Sequence, residues 1–143
     1  MKVIEIVQIS VVGALVIGGA WLAIARFTGS DTQDQRVEVV VPELSAVATQ
    51  GQRLYAANCA SCHGENGVGT EQGPPLVHDI YNPGHHADEA FYRAVANGVP
   101  AHHWRFGDMP PRPDVSRRDV TAIIRYVREL QVANGIGFRE HRM

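Results

Sequence analysis

Two cysteines and the histidine after them, Cys59-Ala60-Ser61-Cys62-His63, are the residues whose types and spacing bear most directly on chemistry. Residues three apart lie on one face of a helix, so both sulfurs can reach the same edge of a flat macrocycle, and the next side chain projects an imidazole beneath it. This is the spacing of covalent c-type haem attachment. A bare C-x-x-C would also suit a thioredoxin-like redox pair or part of a zinc site. Zinc needs two further ligands, which here must be histidine or carboxylate, and a redox pair belongs beside a βαβ pattern that the sequence lacks. The chain holds only these two cysteines, so no disulfide can form elsewhere.

Upstream, T-Q-G-Q-R-L-Y-A-A-N-C puts Leu54 and Tyr55 at helical spacing from Asn58 and Cys59, with Thr49 as the expected N-cap. Downstream, Gly64, Gly67 and Gly69 break the helix and let the backbone pass close to a bound group. The run G-Q-R-L-Y-A-A-N-C-A-S-C-H-G-E-N-G-V-G-T resembles the opening helix and haem loop of the class I cytochrome c family, and Gly73-Pro74-Pro75-Leu76 resembles that family's G-P-x-L. The resemblance covers residues 49–130. It implies an all-α fold: a small cytochrome c-like helical domain around one covalent haem c, held by Cys59 and Cys62 and ligated by His63. By the same resemblance the Pro74 carbonyl accepts a hydrogen bond from the His63 imidazole, and the first and last helices cross closely at Gly51, Tyr55 and Tyr126.

Methionine occurs at positions 1, 109 and 143, and only Met109 falls inside the domain, in F-G-D-M-P-P-R-P. Prolines on its carboxyl side stiffen the loop, so a thioether could be held against iron at low entropic cost. The family resembled presents its axial methionine in such a loop just before the final helix, which makes Met109 the expected second iron ligand beside His63. An isolated methionine otherwise fills core space. The competing ligands are His102 and His103, or His85 and His86; a second imidazole would lower the potential relative to His/Met. The two dipeptides could also hold a second metal, but adjacent side chains diverge and no third ligand is evident, which favours a structural or surface role. P-A-H-H-W-R-F-G is longer and richer in histidine than the family pattern, as a partner surface could be. Trp104 suits either the haem edge or the core, and Arg105 and Arg112 suit either propionates or solvent.

Residues 87–98 read as a short helix with acids in its first turn and Asn97-Gly98 ending it. Residues 116–132 read as the final helix, capped by Ser116 with Asp119, and Val120, Ile123, Ile124, Val127 and Leu130 form one apolar stripe. At the other end, residues 3–25 contain a single carboxylate; at 1.5 Å per residue they reach about 35 Å, enough for a hydrocarbon core of roughly 30 Å. The stretch is longer than a cleavable signal's apolar core, although Ala23-Ile24-Ala25 offers small residues at cleavage spacing. The expected organisation is a transmembrane anchor at 1–26, a tether at 27–48 that is free unless residues 37–41 dock, and a cytochrome c domain with C-terminal tail at 49–143.

Eleven arginines from Arg36 onward face fourteen acids from Asp31 onward, a mildly acidic balance that argues against nucleic acid as a partner. With His63 and Met109 both on iron, no position is free for oxygen, peroxide or a small-molecule substrate, so the expected role is one-electron transfer and not an enzyme in its own right. Thioether ligation and burial raise the potential, which fits reactions late in a respiratory or photosynthetic chain. The resemblance puts the haem domain on the periplasmic side of a bacterial inner membrane, with electron-donor and electron-acceptor protein complexes as partners. A tethered shuttle and a fixed haem c subunit of an oxidase, quinol-oxidising complex or dehydrogenase both fit, the span and tether favouring the shuttle slightly. A haem peroxidase or sensor is a third reading.

Overall fold

A computed structural model describes residues 37–140. The expected anchor lies outside the described residues; among those described, no helix is long and apolar enough to cross a membrane. Four α-helices follow in order: α1 (Ala46–Asn58), the single turn α2 (Ala60–His63), α3 (Asp88–Asn97) and α4 (Arg117–Ala133). Short 3-10 turns occupy Glu65–Gly67 and Asp79–Tyr81, and the described residues hold no β-strand, only one antiparallel bridge between Val99 and Met109.

Helix α4 carries the core. Val120, Ile123, Ile124, Val127 and Leu130 recur at three- and four-residue spacing, and all are buried. Ser116 caps its start: the hydroxyl accepts from the Asp119 N–H at 3.2 Å and donates to the Asp119 carboxylate at 2.6 Å. Helix α1 packs mainly on α4. The backbones approach so closely at Gly51 that a Cβ there would lie 2.6 Å from the carbonyl carbon of Ala122 and 2.9 Å from Cβ of Tyr126. Tyr55 and Tyr126 pack next to this contact with tilted rings, their centroids 5.5 Å apart.

Helix α1 begins four residues before the expected start, and its cap is Ser45, not Thr49. The reason is tertiary. Glu129 of α4 accepts from the Ser45 N–H at 2.9 Å and from its hydroxyl at 2.7 Å, while Ser45 Oγ accepts from the Ala48 N–H at 3.2 Å. Thr49 donates its hydroxyl back to the Ser45 carbonyl at 3.0 Å. Residues 37–45, within the expected tether, run extended across the domain. Val37, Val39 and Leu44 pack on the core, Val37 N–H donates to the Val68 carbonyl at 3.0 Å, and the backbone of Val40 pairs with the amide of Asn134, 2.8 Å each way.

One polar residue sits within the apolar stripe. Gln131 is fully buried, donates to the carbonyls of Leu76 at 2.9 Å and Tyr81 at 3.1 Å, and accepts from Arg128 at 2.7 Å. Arg128 also donates to the carbonyls of Tyr81 at 2.8 Å and His86 at 2.6 Å and to Asp88 at 2.8 Å. These two side chains fasten the irregular segment between residues 76 and 88 to α4.

Replacing Gly51→Ala forces a methyl into backbone atoms that have no rotamer to yield, so chemical denaturation should register a loss above about 3 kcal/mol or an unfolded chain. Gln131→Leu keeps the volume but orphans the Leu76 carbonyl; the expected loss is about 1–3 kcal/mol, and a change within about 0.5 kcal/mol would disprove the role given to this amide.

Candidate functional site

The helix that carries the cysteine motif breaks within it. Helix α1 ends at Asn58, Cys59 leaves helical geometry (φ −124°, ψ −33°), and α2 resumes for one turn. The amide of Cys59 still bonds the Tyr55 carbonyl at 2.8 Å, and those of Cys62 and His63 both turn back to the Cys59 carbonyl at 3.1 and 3.0 Å. The expected continuous helix is therefore two segments, with the first cysteine at their junction and the second on the following turn. Both thiols are half-buried and free.

After His63 the chain folds back on itself. Gly64 (φ 76°) has no room for a side chain: a Cβ would lie 2.5 Å from the Gly69 carbonyl oxygen. Its own carbonyl accepts from the buried Tyr55 hydroxyl at 3.0 Å, which ties the turn to α1. The Gly69 N–H reaches the His63 carbonyl at 2.7 Å, and Thr70 donates its hydroxyl to the Cys62 carbonyl at 2.5 Å. Gly73 then passes Cys62 so closely that a Cβ would lie 2.8 Å from that carbonyl oxygen. The outcome is that the Pro74 carbonyl stands 2.9 Å from Nδ1 of His63. A carbonyl can only accept, so Nδ1 carries the proton and Nε2 keeps its lone pair. Burial pushes the His63 pKa down, and the Pro74 bond opposes that shift.

Met109 comes from the opposite wall. Its backbone is fixed on both sides by Val99, the amide of each bonding the carbonyl of the other at 2.9 Å. Cys59, Cys62, His63, Pro74 and Met109 all line one cavity of about 540 Å³, with Leu76, Phe91, Val95, Val99 and Ile123 among the apolar side chains around them. That volume is within the roughly 300–1,000 Å³ of small-molecule and cofactor sites. A largely apolar cavity bearing two free thiols, an imidazole with an unprotonated nitrogen and a thioether fits a covalently held iron macrocycle.

The rival chemistries for the cysteine pair fare worse. Burial pushes the Cys59 thiol up to about 11, with Arg112 opposing and Cys62 reinforcing the shift, whereas a redox-active pair depends on a lowered thiol pKa. Among the described residues, no group of three or more metal-ligating side chains includes either cysteine. Arg112 has a defined task in place of solvation: it donates to the Asn58 carbonyl at 2.7 Å while its own amide bonds the Val95 carbonyl at 2.7 Å, joining the end of α1 to the loop after Met109. Trp104 lines the cavity, and its indole N–H is taken by the Tyr81 hydroxyl at 3.1 Å.

The paired histidines depart from expectation. His85-His86 and His102-His103 converge, and ligand atoms of His85, His86 and His103 lie within 4.8 Å of one another, so the third donor missing from either dipeptide comes from the other. Burial lowers the pKa of His86, opposed by a bond to the Ile80 carbonyl and aided by the neighbouring imidazoles; His103 is shifted the same way. The sequence reading also passed over Gln131 and Arg128. A signal was present: Gln131 follows Val127 by four residues and Ile124 by seven, which puts an amide on the buried stripe.

The chain matches the family model described as cytochrome c oxidase, cbb3-type, subunit III, over residues 46–127. Two curated relatives from Rhodobacter capsulatus, each described as cbb3-type cytochrome c oxidase subunit CcoP, are 33% identical to it. One aligns over 94 residues, 62% of this chain and 31% of that protein, and the other over 87 residues, 58% and 29%. The chain thus spans about a third of the length of the curated relatives it matches. No solved structure matches it. The helical frame, the cysteine motif and the proline-bounded loops lie within a match that covers more than half of the chain, which therefore belongs to the cbb3-type cytochrome c oxidase subunit III family, a helical c-type cytochrome family of the class I kind.

Proposed function

We propose that this chain is a membrane-anchored mono-haem c-type cytochrome that carries single electrons as a subunit of a cbb3-type oxidase complex. One observation carries the reading: a single apolar cavity gathers Cys59, Cys62, His63 and Met109. Cys59 and Cys62 would hold the haem covalently, His63 Nε2 and the Met109 sulfur would ligate its iron, and the bound haem would supply a one-electron ferric/ferrous couple. The chain's own work is positional. Pro74 orients the imidazole and raises its basicity, the Val99 pairing holds the methionine backbone, and the apolar walls keep water from the site.

Support for an oxidase subunit over a free shuttle comes from the family and from both relatives, which are oxidase subunits by description. It also comes from residues 37–45, which lie fastened on the domain and leave only 27–36 as connecting chain. In this reading residues 1–26 are the anchor, with residues 3–25 crossing a bacterial inner membrane once, and the haem domain faces the periplasm and other subunits of the complex.

Two experiments test this. Mild detergent extraction of the full chain should bring down oxidase subunits in fixed stoichiometry; recovery of the chain alone would favour the shuttle. The reduced parent protein should leave carbon monoxide unbound, whereas Met109→Ala should bind it stoichiometrically, lose the low-spin methionine signature when oxidised and show a lower potential. An unchanged oxidised spectrum in the variant removes Met109 from the iron.

A further inference from the structure

We propose that His85, His86 and His103, of which His86 and His103 also line the cavity, form a divalent transition-metal site that clamps the turn before α3 to the loop preceding Met109. His86 is set up as a ligand. Its Nδ1 lies 2.8 Å from the Ile80 carbonyl and must carry the proton, so Nε2 keeps a lone pair, the arrangement by which metal-binding imidazoles are usually oriented. His102, whose ring centroid is 4.3 Å from that of His103, is oriented likewise by the Pro100 carbonyl at 2.8 Å but does not belong to the group, so water would complete the coordination.

The spacing suits a metal. Two nitrogens bound to tetrahedral zinc at 2.0–2.1 Å are separated by roughly 3.3 Å. Nε2 of His85 and Nε2 of His103 are 3.2 Å apart, so an ion can enter between them with little movement, and His86 closes from within 4.8 Å. Coordination exchanges the N–H···N bond between the two rings for two metal bonds, the donor ring's proton moving to its Nδ1. The group consists of imidazoles alone, and neutral rings can share one cation. An all-imidazole set favours zinc or copper over the hard, oxygen-seeking ions.

The two segments joined are otherwise far apart along the chain, and the second reaches Met109 six residues after His103. Bound metal therefore restrains the loop that carries the methionine.

The test uses the untagged full-length chain in detergent with its haem attached, and Zn²⁺ as the probe. Calorimetry should show one high-affinity Zn²⁺ per chain. The variant His85→Ala, at the member of the group that does not line the cavity, should weaken binding by at least about 10-fold with its haem absorption unchanged. Equal affinity in parent and variant, or absence of one-to-one binding, overturns the proposal. So does a shifted haem spectrum in the variant, which would make these histidines haem ligands. Zinc-edge X-ray absorption on the parent gives an independent reading: at least two imidazole nitrogens at 2.0–2.1 Å support the site, and fewer than two refute it.

Discussion

Helices α1 and α4 meet where Gly51 faces the backbone of Ala122, at a separation that admits no side chain. Most of the domain's geometry follows from that approach. With α1 seated this deeply, Tyr55 reaches past Tyr126 to hold the Gly64 carbonyl, and the turn after His63 is fixed relative to the core before any ligand is considered. Ser45 at one end of α1 is fastened by Glu129, and Asn58 at the other by Arg112, so the helix can neither slide nor tilt without losing polar contacts at both ends. The register of Cys59, Cys62 and His63 is thus inherited from one glycine a full two turns upstream.

The other half of the molecule is built on a different principle. Helix α3 has no fully buried residue, and its apolar side chains, Phe91, Ala94 and Val95 among them, face the cavity as well as the core. A chain this short has little apolar surface to bury, and here part of it is turned toward a space the protein does not fill. Such packing suits a bound group that completes the core. It also explains the density of polar ties around the cavity. Where apolar contacts are withheld, Gln131, Arg128 and Arg112 hold irregular segments by their carbonyls, and the burial of Gln131 makes a missed bond there costly.

The parts legible in the sequence are those governed by local rules. The stripe of α4, the Ser116 cap, the Asn97-Gly98 stop and the close crossing at Gly51 each depend on a few neighbouring residues or on a family pattern that the quoted motifs carry. What escaped depended on residues distant in the chain. Thr49 was the better local cap by position, and Ser45 takes that role because Glu129, more than 80 residues away, arrives from α4. The helix through Cys59 looked continuous because no breaker residue interrupts it. The two histidine pairs each looked incomplete because neither dipeptide can supply three converging donors, and only the fold brings them together.

The two sides of the cavity differ in how firmly they hold their donor. His63 is enclosed by consecutive tight turns in which Gly64, Gly69 and Gly73 admit the backbone and Pro74 meets the imidazole directly, so its position is over-determined. Met109 is held through its loop: its backbone pairs with Val99, Asp108 accepts from the Ala101 N–H at 2.8 Å, and Gly107 stands between at φ 86° with open space around it. A donor enclosed by consecutive turns is placed by its sequence neighbours, while one carried on a longer loop is placed by the contacts that loop makes. The position of Met109 therefore depends on residues 99–108 as a loop, whereas that of His63 depends on the glycines and Pro74 that follow it directly.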